Sequence, residues 1–194
     1  MQQCKQDQRR QGIAARQALN PAQRAAADAA ICARIAATGT YRRAACILLY
    51  AAANGEVNLS ALAAQARREG KHVAWPVCLP GHSMAAAEPL DDSAWETGRY
   101  GIRAPILTRA VQWPPERLSL VLVPCTAFDA QGRRVGMGGG YYDRFLPRCT
   151  GAACWAVAYA CQQVPRAAAE PHDRAMDAVI TEERVYGSID TIQL

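Results

Sequence analysis

The glycines of one short segment are spaced to hold an anion. Four of the chain's 14 glycines lie in Gly136-Met137-Gly138-Gly139-Gly140, between a predicted strand and a predicted helix. Glycine accepts positive φ angles and leaves backbone N–H groups bare, and the start of the next helix attracts negative charge. Arg134 could bind a phosphate with two hydrogen bonds, and Asp143 could hold Mg²⁺ on a nucleotide. This spacing indicates a phosphate site.

Two common phosphate loops do not account for this segment. A dinucleotide-binding fingerprint starting at Gly136 needs glycine at position 141, where the chain has Tyr141. A Walker A loop needs Gly-Lys followed by Ser or Thr, and the chain's one Gly-Lys pair, Gly70-Lys71, is followed by His72. From the glycines alone, a structural turn with an acid at the start of the next helix remains open.

A second segment is similar to the nucleophile elbow of hydrolases. Gly81-His82-Ser83-Met84-Ala85 follows a predicted strand and fits G-x-S-x-G with alanine in the last position. Asp129 and His172 would be its partners, but Pro89 would cut the helix that must follow the serine. We therefore expect a turn into a short strand here, and the elbow remains the alternative.

Composition narrows the class of protein. The 194 residues are 51% hydrophobic with a net charge of +5, which suits one domain and a phosphate-bearing ligand rather than a nucleic-acid surface. The sequence has no run of about 18 apolar residues and no apolar stretch typical of a signal peptide, so no membrane partner is expected. Its eight cysteines form no CxxC pair, which indicates reduced, mostly core-filling thiols in a cytoplasmic protein.

Alternating strands and helices predict an α/β fold. Residues 3–18 favour a helix with Lys5, Arg9 and Arg16 roughly on one face. Asn20-Pro21 begins a second helix that we expect to continue to Ala37 and to be stopped by Gly39. Strand 44–51, helix 59–69 and strand 71–77 have the order of a βαβ crossover. Further along the chain we predict irregular structure with at most short strands at 80–117, strands at 118–124, 155–159 and 178–181, and a helix at 141–146. The chain is thus predicted to be a single domain, 1–194, with the layers of an α/β/α sandwich.

The residues around the glycines resemble a family signature. Residues 128–144 (FDAQGRRVGMGGGYYDR) resemble the FDxxGxRLGxGGGYYDR motif of 5-formyltetrahydrofolate cyclo-ligases and depart from it only at Val135. Lys5 and Arg9 resemble the family's N-terminal basic pair, and residues 50–56 (YAAANGE) resemble a strand and loop that end in an acid. Other motifs keep the family's order: Gly70-Lys71 before a strand ending at Pro76, GIRAP at 101–105, and His172-Asp173 before DAVIT at 177–181.

The resemblance implies an ATP-dependent ligase. Members of the family use ATP and Mg²⁺ to convert 5-formyltetrahydrofolate to 5,10-methenyltetrahydrofolate, with release of ADP and phosphate. Its fold would be a three-layer sandwich with a mixed, mostly parallel sheet, similar to the sugar-phosphate isomerase and CoA-transferase group. The implied partner is a small-molecule folate, with or without a polyglutamate tail, and the protein is expected to be a monomer.

The resemblance also implies roles for individual residues. Arg134, Tyr142 and Asp143 would serve catalysis, with Asp143 as the metal ligand. The nucleotide would contact Lys5, Arg9, Arg134, Gly136, Met137, Gly138, Gly139, Gly140, Tyr141, Tyr142, Asp143 and Arg144. The folate would contact Tyr50, Ala51, Glu56, Tyr100 and Tyr141, with Glu56 accepting hydrogen bonds from the pterin ring.

Two departures from the family pattern affect the folate side. Ala104 stands where the family often has Glu or Gln, and Ala85 to Ala87 replace bulkier residues after Met84, which would thin one wall of the folate pocket. They keep one alternative open: a relative that retains the nucleotide site but is non-catalytic or acts on a different substrate.

Overall fold

The computed structural model describes residues 4–170 and 173–189. The helices are α1 (Lys5–Gln17), α2 (Pro21–Ala36), α3 (Gly39–Arg43), α4 (Ser60–Arg68) and α5 (Tyr141–Phe145). The strands are β1 (Cys46–Leu48), β2 (His72–Cys78), β3 (Met84–Pro89), β4 (Trp95–Thr97), β5 (Arg103–Pro105), β6 (Ala110–Trp113), β7 (Leu120–Pro124), β8 (Ala127–Phe128), β9 (Arg134–Val135), β10 (Ala153–Val157), β11 (Ala178–Ile180) and β12 (Val185–Gly187).

Eight strands form a mixed, mostly parallel sheet in the order β12-β11-β10-β7-β1-β2-β3-β6. The five central strands, β11 to β2 in that order, are parallel, and antiparallel strands complete both edges. Ile47 of β1 pairs with Val73 on one side and with Leu120 on the other. The predicted α/β class and the βαβ unit through α4 are thus confirmed.

Alternation along the central strands divides the core into two clusters. Ile47 and Leu120 pack in one cluster, together with apolar residues of α2 and α4. Leu48 and Val121, one residue further along each strand, pack in the other cluster with Phe145 of α5. Strands that are covered on both faces have continuous apolar sequences. This explains why β1 and β7 could be predicted from the sequence.

The predicted start of α2 is confirmed, and its end at Ala36 lies one residue before the predicted end at Ala37, but the residue expected to stop the helix does not do so. The Asn20 side chain accepts a hydrogen bond from the backbone N–H of Gln23, whose own side chain accepts from the Asn20 N–H, so a capping box begins the helix. Gly39 does not terminate α2; it is the first residue of α3. Thr38 accepts a hydrogen bond from the Tyr41 N–H and caps this short helix.

The segment predicted to be irregular, 80–117, contains more sheet than expected. Residues Met84–Pro89 form a six-residue strand that pairs antiparallel with both β2 and β6. Three consecutive alanines carry little strand propensity, and pairing with two neighbouring strands overrides it. The short strands β4 and β5 form a separate ribbon, and β8 and β9 form another.

Helix α1 packs across the chain that follows β7. Lys5, Arg9, Gly12 and Arg16 recur at helical spacing and lie on one face. Gly12 allows the close approach, because a Cβ there would lie 1.8 Å from the carbonyl oxygen of Thr126. Among the helices of the described residues, none is both long and apolar enough to cross a membrane.

Gly12→Ala separates helix propensity from packing. Propensity alone predicts that alanine stabilises the interior of α1 by about 1 kcal/mol. The clash with the Thr126 carbonyl must push α1 outward, and such overpacking costs about 1–3 kcal/mol. We expect a lower free energy of unfolding in urea denaturation.

The matched control is Gly151→Ala. A Cβ at Gly151 would meet its nearest neighbour, the Glu116 carbonyl oxygen, at 3.9 Å, which is ordinary contact. The control should retain wild-type stability. A stabilised Gly12→Ala protein would contradict the packing of α1 described here.

Candidate functional site

One cavity of about 740 Å³ gathers almost all of the predicted site residues. From the prediction it collects Lys5, Arg9, Tyr50, Ala51, Glu56, Tyr100, Arg134, Gly136, Met137, Gly138, Gly139, Gly140, Tyr141, Tyr142 and Asp143. Arg144 lies outside the lining, and its guanidinium donates to the carbonyl oxygen of Gly140, 3.1 Å away. Arg144 therefore contacts the glycine segment from outside the cavity.

The cavity lies where two central parallel strands end. Tyr50 follows β1, Cys125 follows β7, and both side chains line the cavity. Ligands of open α/β sheets bind beyond the carboxyl ends of strands such as these. The glycine segment, residues 136–140, joins the site because it connects β9 to α5.

Positive φ angles shape the glycine segment. Gly138 has φ 94° and Gly140, which precedes α5, has φ 67°. At Gly136, no atom of the described residues lies within 4 Å of the place a Cβ would take, so the backbone faces open space. This open stretch, in which only Met137 carries a side chain, lines the cavity and is accessible to an anionic ligand.

Two side chains hold the glycine segment through its carbonyl oxygens. The Arg9 Nε donates to Gly136 O at 2.8 Å, and the His82 Nδ1 lies 3.0 Å from Gly139 O. Because these contacts are made to carbonyl groups, they do not engage the segment's N–H groups. Arg9 thus links α1 directly to the predicted phosphate site.

Acidic side chains accompany the cations of the cavity. The Lys5 Nζ lies 2.7 Å from an Asp173 oxygen and 3.3 Å from a Glu170 oxygen. Burial opposes the charged amine, but the hydrogen bond and the charge of Asp173 prevail and raise the pKa of Lys5. Arg134 donates to Asp143 at 2.8 Å and to the carbonyl oxygen of Arg174 at 3.0 Å. Lys5 is therefore charged at neutral pH, and the guanidinium of Arg134 is fixed in place.

A buried carboxylate and two phenols form another part of the lining. Glu56 accepts a hydrogen bond from the Ala53 N–H at 3.1 Å, and burial raises the pKa of its carboxyl group. The phenol oxygens of Tyr50 and Tyr142 are buried with no hydrogen-bond partner among the described residues. Burial also raises the pKa of both phenols, so they remain neutral O–H groups available to a ligand.

The donor set suits a magnesium ion that is shared with phosphates. Within the described residues, no group of three or more His, Cys, Asp or Glu side chains could hold a metal by itself. Mg²⁺ on nucleotides is typically held by one or two carboxylates plus phosphate oxygens and water. Asp143 lines the cavity beside the glycine segment, so the residues present fit such an ion.

The nucleophile-elbow alternative is wrong, and the expected turn is present. The Ser83 Oγ donates to the carbonyl oxygen of Pro80 at 2.9 Å, and the next residues form strand β3 rather than a helix. Asp129 accepts hydrogen bonds from Arg133 and from the Ala167 N–H, so its carboxylate is engaged in local structure. His172 lies outside the described residues.

The departures on the folate side have unequal consequences. Ala104 does line the cavity, as the resemblance implied. Ala85 to Ala87 lie in β3 and do not line the cavity; Ala86 and Ala87 are buried among core residues. The expected thinning of a pocket wall at these three alanines is therefore wrong.

Arg16 was expected on the helix face of Lys5 and Arg9 but was given no role in the site, and it is fully buried behind Glu56. It lies eleven residues after Lys5 and seven after Arg9, a spacing that places all three on one helix face. Its burial could not be foreseen, because arginine is usually exposed.

The α/β fold places its cavity beyond the strand ends, which is where small-molecule enzymes of this architecture bind their substrates. The chain belongs to the 5-formyltetrahydrofolate cyclo-ligase family, whose model matches residues 1–182.

Similar proteins agree with this assignment. The 5-formyltetrahydrofolate cyclo-ligase of Haemophilus influenzae is 35% identical over 136 residues, covering 68% of this chain and 73% of its own. The enzyme of that name from Escherichia coli K12 is 33% identical over 147 residues, covering 72% of this chain and 79% of its own. The solved 5,10-methenyltetrahydrofolate synthetase of Aquifex aeolicus superposes with a TM-score of 0.84 at 27% identity, covering 98% of this chain and 95% of that chain.

Gly138→Ala tests the backbone geometry of the site. A side chain at φ 94° is strained, and its Cβ would lie 3.2 Å from the Arg9 guanidinium. We expect a loss of about 1–2 kcal/mol in the free energy of unfolding. Gly136→Ala is the control, because its Cβ meets open space and stability should be unchanged. Equal stabilities of the two variants would contradict this backbone geometry.

Proposed function

We propose that this chain catalyses the ATP-dependent cyclisation of 5-formyltetrahydrofolate to 5,10-methenyltetrahydrofolate, with release of ADP and phosphate. One observation carries the proposal: a single cavity joins an open glycine segment and its cations to a buried carboxylate and two neutral phenols. The first set suits phosphates, and the second suits a ring with polar edges. Family membership supports the same reaction.

The glycine segment and three cations are proposed to bind the triphosphate of ATP. Backbone N–H groups of Gly136 to Gly140 would donate to phosphate oxygens. Lys5, Arg9 and Arg134 would neutralise their charge, and Arg134 is held by Asp143 and a carbonyl oxygen before the ligand arrives. A Mg²⁺ ion at Asp143 would add further charge neutralisation at the phosphates. Arg144 would support the segment through Gly140 O.

Glu56 and the phenols are proposed to bind the folate. The Glu56 carboxylate would accept hydrogen bonds from N–H groups of the pterin ring, and Tyr50 and Tyr142 would donate to its acceptors. Tyr100 and Tyr141 line the same cavity with ring centroids 6.4 Å apart and nearly perpendicular planes. Their faces would pack against the flat parts of the ligand.

Positioning and charge neutralisation are the work proposed for the protein. The formyl oxygen attacks the γ-phosphorus as the bond to ADP breaks; N10 then attacks the formyl carbon, and phosphate leaves with the formyl oxygen. The proton of N10 is released, so atoms and charge balance without a protein nucleophile. Phosphoryl transfer of this kind depends on alignment and on cations near the transferred group.

The setting of the reaction is also proposed. All eight cysteines, each within the described part of the chain, are free thiols, which suits the reducing cytoplasm. The ligand is proposed to be a free folate, with or without a polyglutamate tail, bound by a monomer with no nucleic-acid or membrane partner.

Turnover of the named substrate tests the proposal. Purified protein is mixed with 5-formyltetrahydrofolate and Mg-ATP, and the near-ultraviolet absorbance of the methenyl product is followed together with ADP. The expected result is a rise that requires ATP and yields one ADP per product. A folded protein that binds ATP but forms no product would favour the non-catalytic or altered-substrate alternative, to which Ala104 in the lining would contribute.

Asp143→Ala and Arg134→Ala should each lower kcat by about 100-fold or more, because each removes a charge placed at the transferred phosphate. The measurement is steady-state turnover, with circular dichroism to verify folding. Asp92→Ala and Arg148→Ala are matched controls, since both residues are exposed and lie outside the cavity lining. Near-normal rates in both site variants would contradict the proposed roles.

A further inference from the structure

Arg16 is a fully buried cation that no step described above uses. It lies on α1, three helical turns from Lys5, and its side chain has almost no exposure to solvent. A buried charge is costly unless it is paired or hydrogen-bonded. Its surroundings therefore indicate what the charge is there to do.

The guanidinium of Arg16 joins two chain segments at the edge of the cavity. Its Nε donates to the carbonyl oxygen of Asn54 at 3.0 Å, and its Nη1 donates to that of Cys125 at 3.3 Å. Asn54 belongs to the loop that carries Glu56, and Cys125 follows β7. Arg16 thus fixes this loop to the end of a central strand.

The remaining nitrogen faces Glu56. The Arg16 Nη2 has no hydrogen-bond partner in the described part of the chain and lies 3.8 Å from Glu56 Oε1. The other carboxylate oxygen, Oε2, accepts from the Ala53 N–H. Binding two carbonyl oxygens would not require a third donor directed at a carboxylate that lines the cavity.

We propose that Arg16 is a positioning residue for the folate, which holds Glu56 in its ionised form and fixes the direction of its carboxylate from behind. This inference rests on the proposed function. Arg16 does not line the cavity, so it acts through Glu56 and its loop rather than on the ligand.

The titratable groups that face Glu56 do not change their charge in the acid range, so Glu56 is the group of this set that does. Tyr50 after β1, Cys125 after β7 and Tyr142 of α5 face it, and burial raises the pKa of all three, that of Cys125 to about 12. Arg24 of α2 lies against Gly55 and donates to the Arg16 carbonyl oxygen. Burial raises the pKa of Glu56, whereas the Ala53 N–H and the Arg16 charge lower it.

Protonation of Glu56 should weaken folate binding at low pH. Ionised Glu56 accepts hydrogen bonds from the ligand, so folate binding is present above the pKa of Glu56 and is lost as the pH falls through it. Removal of the Arg16 charge raises that pKa further. The acid limb of the profile of kcat/KM for folate must then move to higher pH.

The experiment compares Arg16→Gln with Arg16→Lys in steady-state kinetics across pH. For Arg16→Gln we expect the folate KM to rise at least tenfold at neutral pH, the ATP KM to stay within twofold, and the acid limb to move upward. Arg16→Lys keeps the charge but weakens the carbonyl contacts, so its thermal stability should fall while its acid limb stays near wild type. Equal changes of both KM values, or an unmoved limb in Arg16→Gln, would overturn the inference.

Two further measurements keep the test decisive. If Arg16→Gln does not fold, Arg16→Lys decides alone, because a purely structural role predicts loss of folate binding together with stability. The pKa of Glu56 can be read from its side-chain ¹³C shift, which is assigned with Glu56→Gln. This pKa should be higher in Arg16→Gln, which lacks the charge, than in the wild type or in Arg16→Lys. This readout needs no turnover, so an inactive wild-type protein would refute the proposed function and leave the Arg16 inference under test.

Discussion

The packing of α1 on the chain that follows β7 is the constraint on which the site depends. Gly12 brings the helix so close to the Thr126 carbonyl that a single added carbon would collide. At that distance one helix face places Lys5 and Arg9 in the cavity and Arg16 behind it. If the helix lay further out, the charges of Lys5, Arg9 and Arg16 would all be displaced from their positions in and behind the cavity.

Ion pairs and hydrogen bonds hold the site's charges in place before any ligand arrives. Lys5 is held by Asp173, Arg134 by Asp143, and Arg9 by the Gly136 carbonyl oxygen. Groups that are already oriented need little rearrangement when charge develops on a transferred phosphate, which is the main source of electrostatic catalysis. The phenols of Tyr50 and Tyr142 have no hydrogen-bond partner in the part of the chain that the structure describes, which costs free energy that a polar ligand would recover.

Elements with strong local signals could be predicted from the sequence, whereas features that tertiary contacts decide could not. The apolar run of β1 and the Asn20 cap predicted real elements, because burial on both faces and capping are local rules. Strand β3 was expected as a short strand after the turn at Ser83, but its place in the main sheet was not, since three alanines have no strand pattern of their own and are ordered by their neighbours. The glycine segment and Asp143 were identified through a contiguous signature. Arg16 was not, because its role comes from two loops far apart in the chain.

The central claim is that one cavity brings the γ-phosphate of ATP and the formyl group of the folate into direct reaction. The most direct test uses 5-formyltetrahydrofolate labelled with ¹⁸O in the formyl group and follows the label into inorganic phosphate by mass spectrometry. Direct attack by the formyl oxygen predicts one labelled oxygen in each phosphate released with product. Phosphate whose added oxygen came from solvent water would contradict the claim.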